Sequence, residues 1–196
     1  MKKRRMKKLN NKGYSLIELI IVMAIIVIFS AAAMVTITIM QSAKVREASV
    51  SFDSEISELI SNSKSKACDA NLDKTIDDSD EGFSFGIRLH RNGGKCYIQN
   101  VLVKNGGYVY DDAYEKANNP NDGKGLSLSP YVDIKYTDLA GNTITIGDQA
   151  NETVVVHYKK NGTCDMGYGT YNFIRSSTGS SVATVTLNKN GSHQSK

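Results

Sequence analysis

The chain has 196 residues, enough for one domain plus an accessory segment, or two small domains. Its formal net charge of +4 belongs to the first thirteen residues, where Lys2, Lys3, Arg4, Arg5, Lys7, Lys8 and Lys12 stand without an acidic partner. Without that stretch the chain carries about −3, so the basic pI of about 8.8 gives no support for a nucleic-acid-binding domain, whose basic patch would lie on the folded part.

Taken in chain order, the basic start is followed by an apolar run. Between Glu18 and Lys44 lie about 25 uncharged residues, among them Leu19-Ile20-Ile21-Val22-Met23-Ala24-Ile25-Ile26-Val27-Ile28-Phe29. As a helix they span roughly 38 Å, against about 30 Å for a bilayer core. A membrane span is expected. The preceding Lys and Arg residues predict a cytoplasmic N-terminus and an exported C-terminal part. A secretory signal cut at Ser30-Ala31-Ala32-Ala33 is the competing reading. Two features oppose it: the apolar run continues past the alanines, and Glu18 stands at its entrance. A carboxylate at an apolar span is costly unless a positive partner or a helix N-terminus offsets it.

Lys12-Gly13-Tyr14-Ser15-Leu16-Ile17-Glu18 resembles the cleavage and methylation motif of type IV prepilins. Tyr14 stands where the family most often has Phe, and Ser15 where it has Thr. The resemblance covers residues 1 to about 66, and it is specific because leader charge, Gly, Glu and the long apolar run coincide. It implies that Gly13 is the last leader residue, cut by a membrane prepilin peptidase. It implies that Tyr14 becomes the new N-terminus and is N-methylated. It implies that Glu18 acts in assembly, pairing inside the filament with the Tyr14 amine of a neighbouring subunit. Such a pair selects register more than it stabilises, because an unpaired buried charge costs several kcal/mol. The family's helix-bending Gly and Pro are absent from Tyr14 to Lys66. If the helix melts locally during assembly, Ser30 to Ile39, rich in β-branched residues, is the expected place.

Past the apolar run, Val45, Ala48, Phe52, Ile56, Leu59 and Ile60 recur at helical spacing, with charged residues on the other faces. One helix is expected to continue to near Cys68–Asn71 and to lay its stripe on a sheet. Asp77-Asp78-Ser79-Asp80-Glu81-Gly82 reads as a solvated connector, with calcium binding as the lesser reading. Asn118-Asn119-Pro120-Asn121-Asp122-Gly123 reads as turn chemistry. Strands are expected at Phe83–Leu89, Cys96–Val103, Tyr131–Tyr136, Thr143–Ile146, Thr153–Tyr158, Tyr168–Ile174 and Val182–Leu187, with Gly- and Asn-marked turns between them. The scattered tyrosines fit half-buried sheet positions.

Cys68, Cys96 and Cys164 allow one disulfide and one leftover thiol in an exported domain, and spacing does not choose the pair. Zinc held by these cysteines with His90, His157 or an acid is the lesser alternative, unsupported by any CxxC spacing. No cofactor is expected. His90, His157 and His193 are isolated in sequence, no catalytic motif is legible, and no enzymatic activity is expected; His157 reads as a surface or half-buried strand residue.

The fold class expected is α+β, a pilin fold with one long N-terminal helix packed on a C-terminal antiparallel sheet. The chain divides into a leader (1–13), a membrane-spanning assembly helix (14–43), its amphipathic continuation (44–70) and an exported β-rich domain (71–196). The function implied is that of a type IV pilus subunit, major or minor. A pseudopilin of a type II secretion or competence system and a membrane-anchored adhesin-like module are the alternatives. The partners implied are other pilin subunits, prepilin peptidase, an inner assembly platform and membrane lipid before assembly. No nucleic-acid site is legible.

Overall fold

A computed structural model describes residues 15–196. They form two compact units: the helical residues up to Met40, and Gln41–Lys196. The architecture is α+β, with a long N-terminal helix and antiparallel sheets, consistent with a pilin fold.

Helix α1 runs from Leu16 to Ser65. Within the second unit its buried residues are Val45, Ala48, Ser49, Phe52, Ile56, Leu59 and Ser63, a stripe at spacings of three and four. Phe52 anchors it, with ring centroids 4.9 Å from Tyr171 and 5.8 Å from Phe173. The helix ends before the expected Cys68–Asn71. Ser61, Asn62, Ser63 and Ser65 are weak helix formers, and the Ser65 hydroxyl donates back to the Ser61 carbonyl at 2.6 Å. Leaving the helix also buries Cys68 and Ala70 against Leu102 and Tyr114, in a small cluster apart from the main core.

The strands are β1 (Phe83–Asn92), β2 (Lys95–Lys104), β3 (Gly107–Val109), β4 (Leu126–Ser127), β5 (Val132–Thr137), β6 (Thr143–Thr145), β7 (Val154–Tyr158), β8 (Cys164–Met166), β9 (Gly169–Arg175), β10 (Ser181–Leu187) and β11 (His193–Ser195). The expected single sheet is two sheets. One has the order β3-β2-β1-β7-β8, with β4 also on β2; the other has the order β11-β10-β9-β5-β6. Among the described residues every strand pairing is antiparallel. The chain moves between sheets after β4, β6 and β8. Ile87, Leu89 and Val156 of the first sheet, Ile134, Phe173 and Val185 of the second, and the α1 stripe meet in one core. Two sheets give the single helical stripe more apolar cover than one flat sheet would.

The chain between β3 and β4 holds a second helix, α2 (Asp112–Asn118), where no element was expected. Asp111 caps it, its side chain accepting from the Tyr114 amide at 2.8 Å. Glu115 of α2 is buried and accepts from Gln99 at 2.8 Å and from the Tyr108 hydroxyl at 2.6 Å, which ties α2 to the first sheet. The segment after α2 has the turn chemistry expected of it: Asn121 and Asp122 lie at φ +58° and +56°.

Candidate functional site

The site the sequence points to first is the start of α1. Gly13 and Tyr14 lie outside the described residues. From Ser15 onward the geometry is defined. The Ser15 amide donates to Glu18 Oε2 at 2.8 Å, and Leu19 N closes on the Ser15 carbonyl at 3.1 Å. Glu18 stands three residues after Ser15 and reaches back to it, which is one half of a capping box. The carboxylate thereby satisfies an orphan amide of the first turn and faces the positive end of the helix dipole. Glu18 is exposed.

From Leu16 to Met40 every residue is exposed, and large apolar side chains are spread all around the helix. Leu16 is 77% exposed and Phe29 71%. The mean hydropathy of the most apolar window reaches 2.9, and the segment is long and apolar enough to cross a membrane. Its hydroxyls return their protons to the helix. Ser30 donates to the Ile26 carbonyl at 2.7 Å, Thr36 to Ala32 at 3.0 Å and Thr38 to Met34 at 3.1 Å. A polar side chain that bonds the preceding turn can enter lipid or a protein core without an unsatisfied donor. Ser30 to Ile39 is helical throughout.

In the second unit the three cysteines are free and buried. The disulfide that the sequence allows is not formed. Cys68 sits in the small cluster with Tyr114, whereas Cys96 and Cys164 belong to the main core on separate strands. Burial pushes each thiol up to about 11. Among the described residues no group of three or more His, Cys, Asp or Glu side chains is placed to hold a metal ion. In the acidic connector Asp77 and Asp80 are engaged by nearby backbone and hydroxyl donors. Asp80 accepts from the Ala70 amide at 2.7 Å, and Asp77 accepts from Ser79 N at 2.8 Å.

His157 is buried rather than at the expected surface or half-buried position, and His90 is buried too. His90 donates to the Lys124 carbonyl at 2.9 Å. Desolvation lowers its pKa below the ordinary 6.5. His157 is only 6% exposed. Its Nδ1 lies 2.5 Å from Asp165 Oδ1 and its Nε2 lies 2.8 Å from Ser84 Oγ. These residues come from β7, β8 and β1, three neighbouring strands. Their contiguity was invisible in the sequence, because Ser84 and His157 are 73 positions apart. The only signal available beforehand was the polar residue in an otherwise apolar Val154–Tyr158 strand.

Residues 8–34 match the family model of the prokaryotic N-terminal methylation motif, the prepilin signature of type IV pilins and pseudopilins. No curated protein and no solved structure matches the chain.

Proposed function

We propose that this protein is a structural subunit, major or minor, of a type IV pilus, processed by prepilin peptidase and polymerised through its N-terminal helix. The observation behind the reading is the joint occurrence of the methylation motif at residues 8–34 and a helix start whose large apolar side chains are all exposed. A pseudopilin of a type II secretion or competence system shares both features and is the second reading.

In this proposal the leader is cut between Gly13 and Tyr14, and Tyr14 is N-methylated. Basic leader residues hold the N-terminus on the cytoplasmic side before processing. The Leu16–Met40 surface lies in lipid first and against identical or related subunits afterwards. About 1.5 kcal/mol or more for each large side chain removed from water is enough to keep that surface out of solvent in both states. The new Tyr14 amine supplies the positive charge that Glu18 requires inside a filament core. Glu18 already satisfies the Ser15 amide, so one carboxylate serves two donors: its second oxygen can take the amine of a neighbour.

Sequencing the mature N-terminus from cells tests the reading. A start at Tyr14 with an N-methyl group is expected; a start near Met34 would refute it. Glu18→Ala is expected to leave processing largely intact and to impair incorporation into filaments. Normal incorporation, in a strain where this chain is the main subunit, would overturn the pairing role.

A further inference from the structure

We propose that Ser84, His157 and Asp165 form a nucleophilic acyl-transfer site, in a cleft of the second unit, that acts on short-chain carboxylic esters. None of the three residues belongs to the α1 start or to its apolar surface.

The sheet itself brings the three groups together. Val154, Val156 and Tyr158 of β7 enter the main core, so His157 lies on the opposite face of that strand. On β1, Ile87 and Leu89 enter the same core, which leaves Ser84 and Gly86 on the face of His157. Gly86 is the direct cross-strand partner of His157. With no side chain at 86, the imidazole reaches diagonally to Ser84, two residues along. Gly86 cannot readily be replaced, since an added Cβ would stand 2.6 Å from Val103 Cγ2. On the other side β8 brings Asp165 to Nδ1, where a register shift falls between His157 and Tyr158.

The hydrogen-bond logic defines the proton positions. The Asp165 carboxylate can only accept, so Nδ1 carries a proton. In the neutral ring Nε2 is then a lone pair. At 2.8 Å from Ser84 Oγ, two facing acceptors would repel, so the Ser84 hydroxyl donates to Nε2. The Val103 carbonyl, 3.1 Å from Oγ, takes that proton only when the ring is doubly protonated. A hydroxyl donating to an imidazole whose other nitrogen is held by a carboxylate is the arrangement of an activated serine.

A cleft of about 470 Å³ opens beside Ser84 and His157, within the size range of small-ligand sites. Ile76 adds apolar surface to its lining, and Lys66, Lys159 and Lys160 add positive charge. A cation near the reacting carbonyl favours the oxyanion that forms on attack. Lys159 Nζ is also 3.4 Å from Asp165 Oδ2.

The reaction balances without a further reactant besides water. Ser84 Oγ attacks the ester carbonyl carbon, and its proton passes to His157 Nε2. The carbon–oxygen bond to the alcohol breaks, and the alcohol leaves with that proton. Water then attacks the acyl-serine, gives a proton to Nε2, and releases the carboxylic acid as Ser84 Oγ recovers its proton.

The test uses the full chain in detergent micelles and an alkyl fluorophosphonate, which bonds an activated serine through phosphorus and releases fluoride. Peptide mass mapping is expected to find a single adduct on Ser84. Hydrolysis of p-nitrophenyl acetate is expected to fall by about 10²-fold or more in Ser84→Ala and His157→Gln. Asp165→Asn, which keeps the shape but not the tautomer, is expected to slow labelling at least tenfold, and near-UV dichroism checks the fold of each variant. If His157→Gln does not fold, Asp165→Asn decides. No adduct, an adduct on another serine, or Ser84 labelling unchanged by Asp165→Asn would overturn the proposal; a mere tie between strands would not raise the nucleophilicity of one serine.

Discussion

Truncating Phe52 to alanine removes the central contact between α1 and the second sheet. Phe52 is fully buried and touches two aromatic rings, those of Tyr171 and Phe173. Phe→Ala in a packed core costs about 3–5 kcal/mol, through lost transfer energy and the cavity left behind. Each aromatic pair adds about 0.5–1.5 kcal/mol beyond its buried area, which favours the upper part of that range. A loss near 4 kcal/mol is a large share of the roughly 5–15 kcal/mol that holds a typical domain together. With a urea dependence of about 2 kcal/mol per M, the unfolding midpoint falls by about 2 M. The assay is urea titration of the full chain in micelles, read by near-UV tyrosine dichroism, because the chain has ten Tyr and no Trp. Val50→Ala, on the same helix at 67% exposure, is the control and shifts stability by no more than about 0.5 kcal/mol. A Phe52→Ala shift below about 0.5 M, or one matched by Val50→Ala, would refute the placement of α1 on the core.

Other expectations follow from single positions. Gly125 has φ +99°, and a Cβ there would stand 2.2 Å from the Ile98 carbonyl oxygen, so Gly125→Ala should destabilise by more than about 1 kcal/mol. Gly141→Ala has a similar φ of +88° but open space, and should cost less in the same urea titration. His90 binds a proton less readily folded than unfolded, because burial disfavours its charged form. Its contribution to stability is therefore complete above the ordinary His range near 6.5 and is lost as pH falls toward its depressed value. Stability curves of wild type and His90→Gln across that window should converge at acid pH, and parallel curves would refute the assignment. The three thiols, buried and raised to about 11, should resist iodoacetamide in the native chain and react in urea; rapid native alkylation of any one would contradict its burial.

Much of the architecture was legible because it rests on periodicity. The α1 stripe from Val45 to Leu59 and the seven expected strands stand within a few residues of where the pattern puts them, since apolar spacing and Gly-Asn turns are local signals. The strands that escaped notice are short: β3, β4, β8 and β11 have two or three residues and gain their order from a neighbour. Helix α2 carries a legible cap in Asp111, but its seven residues are too few for a periodic signal. The division into two sheets depends on which strand finds which partner, and no local pattern encodes that choice.

What the sequence determined by itself is the start of the chain. The basic stretch before Gly13, the methylation motif at residues 8–34 and the uncharged run need no tertiary partner to be read, because each is a linear pattern of charge and apolarity. Tertiary structure decided the rest of the chemistry. It left three cysteines unbridged, with Cys68 in the small cluster and Cys96 and Cys164 on β2 and β8 with β1 and β7 between them, and it gave Glu115 two donors inside the fold. It also aligned Ser84, His157 and Asp165 on one face, because adjacent strands bring together residues that are remote along the chain.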